Sequence, residues 1–223
     1  MNSKNIRPAI ILFFLFLMCG NSFATLIISQ YYEGRSRNKW IELYNSGPDA
    51  IDLSQSNISF AVWTYPTNGW RTNVAPVNSF KLSGIVSSKG TFLIGDSQAT
   101  APSYATSDLV GNYQLLFNGN DSVAIYHDDY SVDHLIDIIA FPNSMGYFGK
   151  DISFVRKETI TQGVHEDFNI DDWETYSYSD VNVRNNSSRD LGIHYTSSSI
   201  PEPATVSLLL VAILSLVGFR KRK

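Results

Sequence analysis

The sequence has a single cysteine, Cys19, and that residue lies in an apolar segment close to the N-terminus. The segment follows two basic residues, and Ser22-Phe23-Ala24 supplies small side chains at the positions that a signal peptidase reads. We therefore predict a signal peptide over residues 1–24, cleaved after Ala24. Because Cys19 would leave with it, we expect the exported chain to have neither a disulfide nor a thiolate metal site.

Motifs of common hydrolases are also lacking, since neither Gly-x-Ser-x-Gly nor His-Glu-x-x-His occurs. Glu42 and Asp52 are a formal candidate for a catalytic carboxylate pair, but both occupy outward positions of alternating strands, where polar faces are expected. The histidines show no ligand spacing, and we interpret them as surface or strand-edge residues: His127, His134, His165 and His194. The sequence thus predicts a protein that is not an enzyme.

Basic residues are scarce between the two ends of the chain. Six of the 17 Lys and Arg residues lie in the terminal segments, against one of the 21 acidic residues, so the part in between has a net charge near −9. Such a field repels phosphate backbones, and we expect no nucleic-acid partner.

A helical apolar period is absent from residues 25–199, whereas a period of two residues recurs. Trp40–Asn45 and Ile51–Leu53 alternate on either side of a Gly-Pro-Asp turn, which predicts two half-buried strands and a second sheet that covers them. The predicted strands are Leu26–Tyr32, Trp40–Asn45, Ile51–Leu53, Ile58–Tyr65, Phe80–Gly84, Thr91–Asp96, Ser122–His127, His134–Phe141, Ile152–Lys157 and Trp173–Tyr176. Short strands with long polar connections predict an all-β sandwich in one domain.

The order of several short patterns resembles that of a lamin-tail domain. These patterns are Ile28–Gly34, Lys39–Asn45, Ile51–Ser54, Asn118–Ile125, Ile136–Ile139, Ser153–Lys157, Asp172-Trp173 and Leu191–Tyr195. The resemblance implies an immunoglobulin-like β-sandwich over residues 25–195. It also implies a binding or tethering role, because lamin-tail domains serve beside very different partners.

The C-terminal end has the layout of a membrane-sorting signal. A polar spacer, residues 196–199, precedes Pro201-Glu202-Pro203, an apolar run of about 24 Å in helical form, and four basic residues at 220–223. Residues 200–223 resemble a PEP-CTERM signal, which implies a Gram-negative host and removal of the transmembrane helix by an exosortase. We expect a transient inner-membrane intermediate, then the cell surface or extracellular matrix. The alternative is a permanent membrane anchor.

Two groups of side chains are candidates for ligand binding. Aspartates gather around one predicted hairpin, and oxygen-rich loops suit Ca²⁺: Asp121, Asp128, Asp129, Asp133 and Asp137. The alternative for this group is a solvated turn. The second group, Trp63, Tyr65, Trp70 and Arg71, lies around a Pro/Asn/Gly loop, where aromatic faces suit stacking on sugar rings. Its alternative is a loop packed over its own apolar cluster.

The function that we predict is non-enzymatic binding or scaffolding in an extracellular polysaccharide matrix, a context that comes from the resemblance. No cofactor is expected apart from Ca²⁺ at the aspartates. The alternatives are a secreted hydrolase with an unrecognised active site and a Ca²⁺-dependent adhesin.

Overall fold

The computed structural model describes residues 25–65, 69–72 and 74–194. In these residues the chain forms one short α-helix, α1 (Tyr178–Val181), and eleven strands. The strands are β1 (Leu26–Glu33), β2 (Lys39–Asn45), β3 (Ile51–Asp52), β4 (Ile58–Trp63), β5 (Asn78–Lys81), β6 (Ile85–Val86), β7 (Thr91–Gly95), β8 (Ser122–His127), β9 (Leu135–Ile139), β10 (Ile152–Arg156) and β11 (Trp173–Ser177). The all-β prediction is confirmed.

The strands form two larger antiparallel sheets and one small one. The first has five strands in the order β11-β10-β1-β2-β7, and the second has four in the order β5-β4-β8-β9. Among the described residues, β3 pairs with β6 alone. One core cluster contains residues of both larger sheets, such as Ile41 and Leu43 of β2 with Phe60 of β4 and Ile125 of β8. The second sheet that the alternation of β2 requires is therefore present.

The prediction that β2 is half-buried is wrong, because all seven of its residues are buried. On the outward side, Trp40 packs with Leu93 of β7 and with Val181 and Leu191 from the C-terminal part of the described chain. These later residues cover the outer face of the five-stranded sheet. A polar residue on that face, Glu42, is consequently buried as well.

One segment differs in detail from the prediction. Phe80–Gly84, which we expect to be a brief strand or a turn, contains the end of β5, which pairs with β4, and the turn that leads to β6, which pairs with β3. The turn between β5 and β6 includes Gly84, whose φ of +127° lies outside the range that other residues readily adopt. β3 is therefore held by β6 and makes no ladder with β2 in the described residues.

A buried ion pair links the two larger sheets. Asp137 of β9 lies 3.0 Å from Nη2 of Arg156 of β10, and the Arg156 guanidinium stacks 4.3 Å from the Trp173 ring centroid. The main-chain N–H of Ile28 in β1 donates to the same Asp137 carboxylate at 2.7 Å. A β-bulge beside Ile28 interrupts the β1–β2 ladder and frees that N–H for the carboxylate.

Candidate functional site

The end of the β8–β9 hairpin brings together the polar side chains that we take as the candidate site. β8 ends at His127, and a single-turn helix, Val132–His134, leads into β9. The register pairs Tyr126 with Leu135, so that His127 and His134 face each other across the hairpin. Their ring centroids are 4.6 Å apart. Both histidines are half-buried at strand ends, which agrees with their interpretation as surface or strand-edge residues, but their spacing along the chain did not indicate that they lie side by side.

Each histidine contacts an aspartate of the connecting turn. Nδ1 of His127 lies 3.1 Å from Oδ2 of Asp128, and Nδ1 of His134 lies 2.8 Å from Oδ1 of Asp129. The main-chain N–H of Ser131 also donates to Asp129, and hydrogen bonds of this kind lower the pKa of Asp129 to about 2. Asp129 is therefore ionised at neutral pH and accepts a hydrogen bond from Nδ1–H of His134.

Asp128 is fixed by Asn57, which directly precedes β4, and by Lys81 at the end of β5. Nδ2 of Asn57 donates to Oδ1 of Asp128 at 2.7 Å, and this bond is the first cause of the lowered pKa of Asp128. Nζ of Lys81 donates to the main-chain oxygen of Asp128 and to Oδ1 of Asn57, at 3.1 and 2.6 Å. Hydrogen bonds thus hold Asp128 through both its carboxylate and its main-chain oxygen.

A groove of about 260 Å³ runs from this turn over the outer face of the four-stranded sheet. Its floor consists of small side chains on paired positions of β4 and β5, namely Ser59, Ala61 and Ser79. Larger side chains form its walls, namely Lys81, Tyr126 and Tyr130, with Asp128 and Asp129 at the rim. The groove forms here because three short side chains lie side by side and leave space above the sheet.

The wall residues offer both ring surface and hydrogen-bonding groups. Tyr130 is 39% exposed and presents part of its ring to solvent. The hydroxyl group of Tyr126 is buried and makes no hydrogen bond within the described residues. Burial raises the pKa of Tyr126, so this hydroxyl stays protonated and remains a donor. The groove therefore presents the exposed ring of Tyr130, whereas the Tyr126 hydroxyl group is protonated but buried away from solvent.

The aspartates proposed for Ca²⁺ do not form one group. Asp121 and Asp128 lie at opposite ends of β8, roughly 20 Å apart at about 3.3 Å per residue. The Asp121 carboxylate is buried and accepts hydrogen bonds from the main-chain N–H groups of Tyr65 and Asn118. Asp137 is the buried partner of Arg156, which leaves Asp128, Asp129 and the exposed Asp133 at the turn.

The aromatic loop that follows β4 is packed onto the sheet. Trp63 and Trp70 are each 1% exposed and share a cluster with residues of β8 and β9. Nε1 of Trp63 donates to the main-chain oxygen of Val74, and Arg71 lies over the Trp70 ring at 4.2 Å. Both indole rings are therefore buried, as expected from the alternative of a loop packed over its own apolar cluster. Tyr65, at 47% exposure, is the aromatic member of this set that faces solvent, and Arg71 is exposed as well.

Glu42 and Asp52 do not form a catalytic pair. Glu42 is fully buried, with Ser29 Oγ donating to its carboxyl group at 2.6 Å and the main-chain N–H of Gly192 donating at 2.6 Å. Burial raises its pKa to about 7. Asp52 lies in the separate β3–β6 sheet, where it caps the turn that follows β3 by accepting from Ser54 N.

The two remaining histidines lie apart from the hairpin turn. His165 is exposed, with Nε2 lying 3.1 Å from the main-chain oxygen of Ile136. His194 is only 6% exposed and packs against the Tyr44 ring with a centroid distance of 4.5 Å, so its assignment to the surface is wrong. Burial lowers the pKa of His194 to about 4.

The predicted export and sorting residues, Ala24, Pro201, Glu202 and Pro203, lie outside the described residues. In the part of the chain that the structure describes, no helix is long and apolar enough to cross a membrane.

No family model and no characterised protein matches the chain. One solved structure to which it is similar is a DUF4876 family protein from Bacteroides thetaiotaomicron, at 10% identity and a TM-score of 0.41. The similarity covers 63% of this chain and 65% of that protein. A likeness of this extent supports no conclusion about function.

Proposed function

We propose that this chain is an exported, non-enzymatic binding module with an immunoglobulin-like, lamin-tail-like β-sandwich, and that it binds polysaccharide of the extracellular matrix. Export and sorting rest on the two terminal segments, whose sequence resembles a signal peptide and an exosortase-processed PEP-CTERM signal. The observation that supports binding is the groove beside the β8–β9 hairpin. It replaces the Trp63–Arg71 loop as the contact site in this proposal.

The shape of the groove suits part of a long polymer. Its volume of about 260 Å³ lies below the roughly 300–1,000 Å³ of sites that enclose a small ligand. The small floor residues allow a flat ring to approach the sheet, and the Tyr130 ring offers a face for stacking. Sugar hydroxyl groups can accept hydrogen bonds from the hydroxyl groups of Ser59 and Ser79 and from the ammonium group of Lys81.

The charge of the protein favours one class of polysaccharide. The part of the chain between the terminal segments has a net charge near −9, and two aspartates lie at the groove rim. Anionic polymers such as polyuronates are repelled by this field, whereas neutral or amino sugars are not. We therefore propose a neutral or amino-sugar polymer as the ligand.

The test is retention of the full-length protein on insoluble neutral, amino-sugar and uronate polysaccharides. Tyr130→Ala should weaken retention on the preferred polymer about fivefold, since one aromatic contact contributes about 1 kcal/mol. Tyr147→Ala is the matched control, because Tyr147 is exposed at 62% and does not line the groove. Equal retention of wild type and Tyr130→Ala on all three polymers would remove the groove from the proposal.

A further inference from the structure

His127, His134 and Asp128 form a compact set of metal-ligating side chains. A ligand atom from each lies within 4.8 Å of a ligand atom from each of the others. The set has this geometry because His127 and His134 are opposite each other at the end of the hairpin and Asp128 follows His127 directly. Three donors at one end of a hairpin can converge with little rearrangement of the chain.

Neighbouring groups orient this set as they orient ligands in metal sites. The Asp129 carboxylate accepts from Nδ1–H of His134 at 2.8 Å, which leaves the lone pair of Nε2 on the other side of the ring. Asn57 holds Asp128 through a 2.7 Å hydrogen bond to Oδ1, so Oδ2 is the oxygen that faces His127. Nζ of Lys81 donates a hydrogen bond to the main-chain oxygen of Asp128 and thereby fixes the turn.

We propose that His127, His134 and Asp128 bind a divalent transition-metal ion of the Zn²⁺ class, with Asp129 orienting His134. Two imidazoles and one carboxylate are ligands that Zn²⁺ and its first-row neighbours prefer. Ca²⁺ takes six to eight oxygen ligands, and two of the three donors here are nitrogens. Three protein ligands leave a coordination position open to water or to a ligand in the groove, where Asp128 lies at the rim.

The test is calorimetric titration of Zn²⁺ into the full-length chain, without an affinity tag and after removal of metals with a chelator. Wild type should bind one Zn²⁺ ion. His127→Ala and His134→Ala should each weaken the affinity at least ~tenfold, because loss of an outer-shell partner alone costs ~10–100-fold. His165→Ala is the matched control and should bind as wild type does, since His165 contacts the main chain of β9 outside this set.

Two further measurements separate ligand loss from unfolding. Unchanged melting temperatures of the metal-free variants show that the fold is intact, as expected for partly exposed side chains. Histidine ring resonances in nuclear magnetic resonance spectra should shift with Zn²⁺ for His127 and His134 and stay in place for His165. Equal Zn²⁺ affinity in wild type and both hairpin variants would overturn the proposal, as would binding of Ca²⁺ but not Zn²⁺. Polysaccharide retention is measured in a separate experiment, so the metal-site proposal and the polysaccharide proposal can fail independently of each other.

Discussion

Glu42 lies beneath the C-terminal part of the described chain, and Glu42→Gln should stabilise the protein at neutral and alkaline pH. When the carboxyl group is protonated, Oε1–H can donate to Ser29 Oγ at 2.6 Å, and Ser29 Oγ–H to the main-chain oxygen of Glu42 at 3.2 Å. The N–H of Gly192 donates to Oε2 at 2.6 Å. Glutamine reproduces this arrangement with its amide, whereas ionisation puts a charge in a buried site near the acidic Asp108.

The magnitude follows from the pKa of Glu42. Burial raises that pKa from the reference value of 4.5 to about 7. The folded protein therefore holds the proton more tightly than the unfolded chain. The stabilising contribution is complete below about pH 4.5, declines as the pH rises, and is lost above about pH 7. A shift of this size corresponds to about 3 kcal/mol, since one pKa unit is about 1.4 kcal/mol.

Urea unfolding followed by tryptophan fluorescence measures this effect between about pH 4 and pH 8. The free energy of unfolding of Glu42→Gln minus that of wild type should be near zero at the acid end and grow to about 3 kcal/mol at the alkaline end. Contributions of other titrating groups cancel in this difference. Glu166→Gln, at an exposed position, is the control and should show no such growth. A difference that does not vary with pH would show that the Glu42 carboxyl group has the same pKa in the folded and the unfolded protein.

Three other substitutions test separate parts of the account. Asp137→Ala should cost about 3–5 kcal/mol in urea unfolding, because it leaves Arg156 buried without its carboxylate; a loss below about 1 kcal/mol would contradict this. Trp70→Ala should also lower the free energy of unfolding by about 3–5 kcal/mol, while the folded variant retains its binding to polysaccharide. Lost retention at an unchanged melting temperature would instead support the Trp63–Arg71 loop as the sugar site. Glu202→Ala should block exosortase cleavage near Pro201-Glu202-Pro203, so that mass spectrometry finds an uncleaved form in the inner membrane. Intact tail peptides on mature wild-type surface protein would show a permanent anchor instead.

Strand positions could be predicted well wherever alternation was strong. β8 has the predicted bounds, Ser122–His127, because a turn signal precedes it and an aspartate pair ends it. Ile41 and Leu43 point into the core as their parity predicts. Alternation cannot show what covers the other face of a sheet. The residues that cover Glu42 belong to a segment without periodic pattern, and the burial of Glu42 was missed for that reason.

The histidine pair could have been found from the sequence. The predicted hairpin already joined a strand ending at His127 to one starting at His134, so the register alone places them opposite each other. Spacing along the chain was the wrong criterion, because metal ligands on a sheet converge across strands. Asp137 also carried a signal. It lies between Ile136 and Ile138 in a continuous apolar run, which indicates a buried carboxylate that needs a cationic partner.

Hydroxyl-radical footprinting of the full-length protein tests the central claim, that the groove beside the β8–β9 hairpin binds matrix polysaccharide. Three exposed tyrosines report on different surfaces: Tyr130 in the groove wall, Tyr65 beside the aromatic loop, and Tyr147 outside both. A neutral or amino-sugar polymer should slow oxidation of Tyr130 and leave Tyr65 and Tyr147 unprotected. Protection of Tyr65 or Tyr147 with Tyr130 still oxidised at the free rate, or no protection with any polymer, would contradict it.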